Sequence, residues 1–137
     1  MTNSELTSGV RAFLDDYNEA FASFDGQRIA ALYHLPTVTV RGDGSIHCLQ
    51  SRVELASFFQ GVADTYQKEG SVGSRFDDLQ VSPSGGRSVL ATLEWKMLRG
   101  DGSLIRKRRQ SYNLVHVAAG WRILVSTFHL PGAVPAA

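Results

Sequence analysis

The chain has 137 residues, 43% of them hydrophobic, which suits one domain with its own core and leaves too little for a second. Its 14 basic and 13 acidic side chains leave a formal net charge of +1. A balance this even provides no global field for nucleic acid or an anionic membrane, and we expect neither as a partner.

Cysteine and hydropathy patterns bear on where the protein works. Cys48 is the single cysteine, so no disulfide can form within the chain. No stretch approaches the roughly 18 apolar residues of a membrane helix, and the segment Met1–Glu5 lacks the basic start and apolar run of a signal peptide. These features favour a cytoplasmic protein.

Two helices are predicted in the first 35 residues. Apolar residues recur at helical spacing from Leu6 to Phe24, and the opposite face is polar. Thr2 and Glu5 stand three residues apart at the start and can form a capping box. Asp25 can cap a short second helix. That helix is expected to end near His34, because a proline follows two residues later and disfavours helical geometry before it.

A hairpin and a third helix are predicted next. The β-branched run Thr37–Val40 is typical of a strand, and Ser45–Leu49 returns from a glycine-containing turn. Ser51 and Glu54 form a second capping box, which predicts the start of a long helix, and Gly70 is its expected end.

Beyond Gly70 the pattern changes to strands joined by three short turns that contain glycine. Consecutive hairpins of this kind form an antiparallel meander. We therefore predict an α+β fold in which a curved antiparallel sheet packs against three helices. The predicted strands are Phe76–Ser82, Ser88–Leu98, Leu104–Val117 and Trp121–Leu130.

Alternation within these strands indicates how the sheet is covered. Alternate residues from Val89 to Met97 are apolar and share one face. In the last two strands, however, neighbours such as Leu114 and Val115 are both apolar, so both faces of the sheet need a cover. Helices can cover one face. We expect a second copy of the chain to cover the other, which predicts a homodimer through the outer sheet face.

The order of elements, helix, short helix, hairpin, long helix and meander, resembles the nuclear transport factor 2-like (NTF2-like) superfamily over nearly the full chain. The likeness is carried by Tyr17 and Phe21, by Asp25–Tyr33 leading to Pro36, and by Gly120–Ile123 at the start of the last strand. The resemblance implies a cystatin-like roll, a cone-shaped curved sheet whose concave face and helices enclose a pocket.

On this resemblance, residues 1–131 are a single domain. Residues 132–137 contain Pro135 and small side chains, which predicts a flexible tail. The superfamily includes ketosteroid isomerase, scytalone dehydratase, limonene epoxide hydrolase, SnoaL-like polyketide cyclases and many proteins with no known reaction. The fold therefore implies a pocket and does not imply a reaction.

The resemblance to the isomerase does not extend to the residue that acts as its general base. Tyr17 stands where the isomerase's oxyanion-hole tyrosine lies, but the same ungapped spacing places the isomerase's catalytic aspartate at about Arg41. An arginine cannot act as a general base near neutral pH, and the nearby Asp43 is more simply a turn residue. Arg41 instead favours a ligand with a carboxylate or an enolisable carbonyl group.

Two histidines are candidates for acid–base work. His34 closes the second helix, where the helix dipole favours a protonated imidazole. His129 shares strand parity with Trp121 and Ile123, which predicts that it faces inward beside them. The four histidines of the chain show no metal-ligand spacing, so we predict neither a metal nor a cofactor.

The remaining candidates lie on strands. Trp95 and Tyr112 are each either cavity wall or packed core. The charge run Arg106–Arg109 splits between two faces by alternation, so one pair could reach the pocket mouth and hold a carboxylate or phosphate. We favour the other interpretation, in which all four side chains decorate a solvated strand end and blunt edge pairing.

Three functions stay open at this point. The favoured one is a small-molecule-binding dimer whose mostly apolar pocket takes an apolar or a carboxylate- or carbonyl-bearing ligand. The second is a SnoaL-like cyclase, isomerase or dehydratase that uses histidine and tyrosine acid–base chemistry. The third is a non-catalytic dimeric assembly module. The polar groups predicted to line the pocket come from Tyr17, His34, Arg41, Trp95, Tyr112 and His129.

Overall fold

In the computed structural model, which describes residues 2–132, three helices pack against a curved six-stranded sheet, as predicted. The predicted tail at residues 132–137 lies, apart from Gly132, outside the described residues. The helices are α1 (Asn3–Ala22), α2 (Gly26–Ala30) and α3 (Arg52–Lys68), and the strands are β1 (Tyr33–Val40), β2 (Ile46–Leu49), β3 (Gly73–Pro83), β4 (Ser88–Leu98), β5 (Leu104–Val117) and β6 (Gly120–Phe128).

The helix starts follow from their capping residues. Thr2 Oγ1 accepts a hydrogen bond from the Glu5 backbone N–H at 3.1 Å, and Ser51 Oγ accepts one from Glu54 at the same distance. Asp25 caps α2 by accepting from the backbone of Gln27 at 2.9 Å. These side chains satisfy backbone donors that the first turn of a helix leaves without a partner.

The second helix ends earlier than predicted. It stops at Ala30, and both Tyr33 and His34 belong to β1. Tyr33 pairs with Ile123 of β6, and the Ile123 N–H donates to the Leu32 carbonyl at 3.0 Å. Sheet pairing therefore takes over from the helix three residues before Pro36, so the dipole explanation for His34 is wrong.

The strand order is β2-β1-β6-β5-β4-β3. Four of the five pairings are antiparallel, and the pairing of β1 with β6 is parallel, which corrects the expectation of a wholly antiparallel sheet. No hairpin constrains these two strands to run in opposite directions, because they are joined by α3 and the whole meander.

The core fills the space between α1, α3 and the inner face of the sheet. Leu14 of α1 and Phe59 of α3 are fully buried, as are Leu93 and Leu114 of the two central long strands. None of the helices among residues 2–132 combines the length and the apolar character needed to span a membrane.

A β-bulge in β6 changes which side chains face this core. Leu114 pairs with Ile123, whereas the preceding Asn113 pairs with Val125, so β6 carries one extra residue at this point. Trp121 and Ile123 are buried before the bulge, and the even-numbered Ser126 and Phe128 are buried after it.

Candidate functional site

A cavity of about 80 Å³ lies among α1, the C-terminal part of α3 and the inner face of the sheet, and we call it the inner cavity. This space exceeds the ~10–15 Å³ that one water molecule requires. Aromatic rings are the largest group in its wall. The rings that line it belong to Tyr17, Phe21, Phe24, Tyr66, Trp95, Tyr112 and Phe128.

A second, wider space continues from the inner cavity, and we call it the outer groove. It measures about 410 Å³ and is lined by Phe58, Val62 and Thr65 of α3 and by the β1–β2 turn. The two spaces share five lining residues, Arg41, Tyr66, Arg106, Arg108 and Phe128. Together they reach the size usual for small-molecule sites, about 300–1,000 Å³.

A chain of hydrogen bonds runs along one wall of the inner cavity. The Trp95 indole N–H donates to Tyr112 Oη at 2.8 Å, and the Tyr112 hydroxyl donates to Gln110 Oε1 at 2.7 Å. The Gln110 Nε2 group forms no hydrogen bond to any residue between 2 and 132. Gln110 is 4% exposed and lines the cavity, so its amide N–H groups are free to donate to a ligand.

Two tyrosines meet at the base of α1. The hydroxyl oxygens of Tyr17 and Tyr33 are 2.5 Å apart, and the Tyr33 ring stacks on Phe59 with centroids 4.5 Å apart. Burial raises the pKa of Tyr17, and the neighbouring Tyr33 and Tyr112 raise it further. Burial is also the largest cause that raises the pKa of Tyr33 and of Tyr112. All three hydroxyls are therefore protonated near neutral pH and act as hydrogen-bond donors, not as bases.

Three arginines stand where the inner cavity meets the outer groove. Arg41 donates to Tyr66 Oη at 3.2 Å, and its guanidinium carbon lies 5.1 Å from the Phe128 ring centroid. The guanidinium of Arg108 lies 5.5 Å from the same centroid. Arg106 is ion-paired with Glu69.

Acidic and imidazole groups are missing from the inner cavity. Among the described residues that line it there is no aspartate, glutamate or histidine. Within residues 2–132, no three histidine, cysteine or carboxylate side chains converge as metal ligands do. The inner cavity thus has a positive, aromatic and donor-rich lining without a group that could act as a general base at neutral pH.

The structure brings together four of the six predicted site residues. Tyr17, Arg41, Trp95 and Tyr112 all line the inner cavity. His34 does not line it, because its neighbour Tyr33 points into the core and adjacent strand residues point to opposite faces. The His34 ring instead lies 3.0 Å from the Pro36 carbonyl oxygen.

His129 also lies outside the cavity, contrary to the expectation from its strand parity. The extra residue in β6 exchanges inward and outward positions, so Phe128 faces the cavity and His129 does not. On the outer face, His129 Nε2 is 2.7 Å from Ser111 Oγ.

Sequence reasoning missed part of the site. The preferred interpretation of the charge run expected exposed side chains, and Lys107 and Arg108 are exposed, but Arg106 and Arg108 also line the cavity. The parity of β5 contained the signal, because Arg106 and Arg108 share a face with Gln110 and the already suspected Tyr112. No sequence signal marked the hydroxyl contact of Tyr33.

Solved structures place this fold among NTF2-like proteins. A protein of unknown function with a cystatin-like fold from Nostoc punctiforme aligns with a TM-score of 0.76 at 10% identity, covering 98% of this chain and 97% of that one. An NTF2-like protein with a cystatin-like fold from Novosphingobium aromaticivorans aligns with a TM-score of 0.72 at 15% identity, covering 89% and 79%. A proposed dehydratase of the NTF2-like family from Streptomyces avermitilis aligns with a TM-score of 0.74 at 16% identity, and the alignment covers 97% of this chain and 100% of that one.

Residues 4–131 match the profile of one family, described as NTF2-like protein (DUF6841). This chain belongs to that family. A comparison with curated proteins found no match. The resemblance inferred from the sequence and the predicted cystatin-like fold are thus both confirmed, and they leave the ligand and any reaction to be argued from the site.

Proposed function

We propose that this protein binds a small, mostly apolar molecule in the inner cavity and the adjoining outer groove. The observation that carries the proposal is the lining of the inner cavity. Aromatic rings there surround hydrogen-bond donors, and no aspartate, glutamate or histidine is among the described residues that line it. Such a wall holds an apolar body by contact area and orients it through a few polar groups. The donors available to the ligand are the Gln110 amide and the Tyr66 hydroxyl, which accepts from Arg41, whereas the Tyr112 proton is already donated to Gln110.

The acid–base alternative has one feature in its favour. The contact between Tyr17 and Tyr33 could polarise a bound carbonyl, as a cyclase, isomerase or dehydratase requires. Those reactions also need a group that accepts a proton, and neither His34 nor His129 reaches the inner cavity. Binding is therefore the better-supported function.

The proposal predicts that a plugged cavity loses its ligand. Ser74 lines the inner cavity from β3, so tryptophan in its place should fill the space. By isothermal titration calorimetry, the neutral aryl amide trans-cinnamamide should bind the wild type, and Ser74→Trp should weaken binding at least about tenfold, because the ring loses its pocket.

Ser82→Trp is the matched control, since Ser82 lies on the same strand, is exposed and is not part of the cavity. It should bind cinnamamide like the wild type. Thermal melts of both variants check that they fold. If Ser74→Trp is folded and binds cinnamamide with unchanged affinity, the ligand occupies some other surface and the proposal is wrong.

The expected homodimer stays a proposal about the outer sheet face. Leu90 of β4 is 48% exposed and Val117 of β5 is 36% exposed, and both lie in the long antiparallel strands. Covering such side chains with a second copy removes apolar surface from water. Analytical ultracentrifugation should show a dimer at micromolar concentration, and Leu90→Lys should shift it towards monomer. A clean wild-type monomer under those conditions contradicts the proposal.

A further inference from the structure

Two arginine side chains share one phenylalanine ring at the junction of the inner cavity and the outer groove. The guanidinium carbons of Arg41 and Arg108 lie 5.1 Å and 5.5 Å from the Phe128 centroid. The two charges are therefore less than about 11 Å apart. Between residues 2 and 132, neither arginine forms an ion pair with a carboxylate.

The neighbouring Arg106 differs from Arg41 and Arg108, because a carboxylate of the chain itself neutralises its charge. Its guanidinium is ion-paired with Glu69 at the end of α3. Arg41 has only neutral hydrogen-bond acceptors, Thr39 Oγ1 at 3.4 Å and Tyr66 Oη at 3.2 Å. Two like charges held near each other beside aromatic surface repel, and a bound anion would relieve that repulsion.

The local backbone leaves room for this arrangement. A Cβ atom added to Gly42 would lie 1.6 Å from Arg108 Nη1, so the guanidinium occupies the space that a side chain at position 42 would take. The backbone conformation does not require a glycine at position 42, because its φ lies outside the left-handed region. The missing side chain is what lets Arg108 reach the β1–β2 turn beside Arg41.

We propose that Arg41 and Arg108 form a carboxylate-binding site, and that the ligand is an aryl carboxylate whose ring lies in the inner cavity. This inference rests on the proposed function and names its ligand class. Guanidinium groups match the planar, two-oxygen geometry of a carboxylate. Asp43 also lines the outer groove, and its negative charge disfavours a doubly charged group such as a phosphate monoester there, whereas Glu69 is ion-paired with Arg106.

A matched pair of ligands tests the carboxylate without changing shape. Trans-cinnamate and trans-cinnamamide differ only in the charged group, and both are titrated by calorimetry into the intact protein. The wild type should bind cinnamate about tenfold more tightly than cinnamamide. Arg41→Gln and Arg108→Gln should each remove about tenfold of the cinnamate affinity and weaken cinnamamide binding by much less, because the amide carries no charge for a guanidinium to pair with.

Lys107→Gln is the charge-matched control, because Lys107 is exposed, lies on the same strand and does not line the cavity. It should leave both affinities unchanged. Gly42→Ala keeps every charge but displaces the Arg108 guanidinium, and it should weaken cinnamate binding severalfold. If Arg41→Gln fails to fold, Arg108→Gln and Gly42→Ala still decide the question, since Arg108 is exposed at its strand position.

The possible results distinguish a failure of the carboxylate site from a failure of the proposed binding function. If the wild type binds neither compound, the proposed binding function fails. If it binds both equally, and the arginine variants bind cinnamate like the wild type, the cavity stands and the carboxylate site is overturned. A loss of cinnamate affinity in Lys107→Gln equal to that in Arg108→Gln would also overturn it, since a general charge effect would then explain the data.

Discussion

Above about pH 10 the free energy of unfolding should fall by about 4 kcal/mol for each further pH unit, because three buried tyrosines resist ionisation in the folded chain. Burial raises the pKa of Tyr17, Tyr33 and Tyr112 above the ordinary value of 10.0. Below pH 10 both the folded and unfolded chains keep these protons, so stability does not depend on them.

Above pH 10 the unfolded chain releases the three protons while the folded chain retains them. The unfolded state then binds fewer protons, and stability falls as pH rises until the raised pKa values are reached. Each tyrosine contributes about 1.4 kcal/mol per pH unit to this slope.

Urea denaturation between pH 9 and pH 11.5 measures the slope directly. Tyr17→Phe and Tyr112→Phe should each reduce it by about one third, since each removes one ionisable group. Gly61→Ala serves as a control, because Gly61 is exposed on α3 and an added Cβ atom there contacts nothing. This variant should leave the slope unaltered. Equal slopes in the wild type and both phenylalanine variants would show that these hydroxyls ionise freely in the folded chain.

Gly26→Ala should destabilise the protein by about 2–3 kcal/mol, because α2 and α3 touch at this residue. An added Cβ atom would lie 2.4 Å from the Ala56 carbonyl oxygen and 2.7 Å from the Gln60 backbone nitrogen. Both are backbone atoms of α3, so they cannot swing aside as the end of a side chain does. Moving α2 away from α3 to relieve this clash would also disturb the hydrogen bond of 2.8 Å from the Gly26 N–H to Gln60 Oε1.

The matched comparison is Gly61→Ala on α3 itself. A Cβ atom there meets nothing within 4 Å, so alanine should stabilise the helix by about 0.5–1 kcal/mol through its better helix propensity. Both variants are compared with the wild type by chemical denaturation at pH 7. Gly26→Ala equal to the wild type would mean that the two helices separate at little cost.

Local sequence signals predicted the elements of this fold well where they depend on neighbouring residues. The caps at Thr2, Asp25 and Ser51 begin three helices as expected. The errors arise where distant residues decide. The early end of α2 depends on Tyr33 pairing with Ile123, and such a pairing between remote segments leaves no local pattern.

The site was predictable to the extent that strand alternation holds. Trp95 and Tyr112 line the inner cavity on unbroken strand parity, and the same parity includes Arg108. His129 was misplaced because one extra residue in β6 reverses every inward and outward position beyond it. The contact between Tyr17 and Tyr33 joins α1 to β1, and only the tertiary packing reveals it.

Two-dimensional ¹H–¹⁵N NMR during titration with trans-cinnamate shows whether the inner cavity holds the ligand. The Trp95 indole N–H and the Gln110 side-chain amide line the cavity, whereas Trp121 is outside its lining and supplies an internal reference. Saturable shifts are expected at Trp95 and Gln110, and none at the Trp121 indole. Shifts confined to the outer sheet face, or no shifts at saturating cinnamate, would contradict binding in the inner cavity.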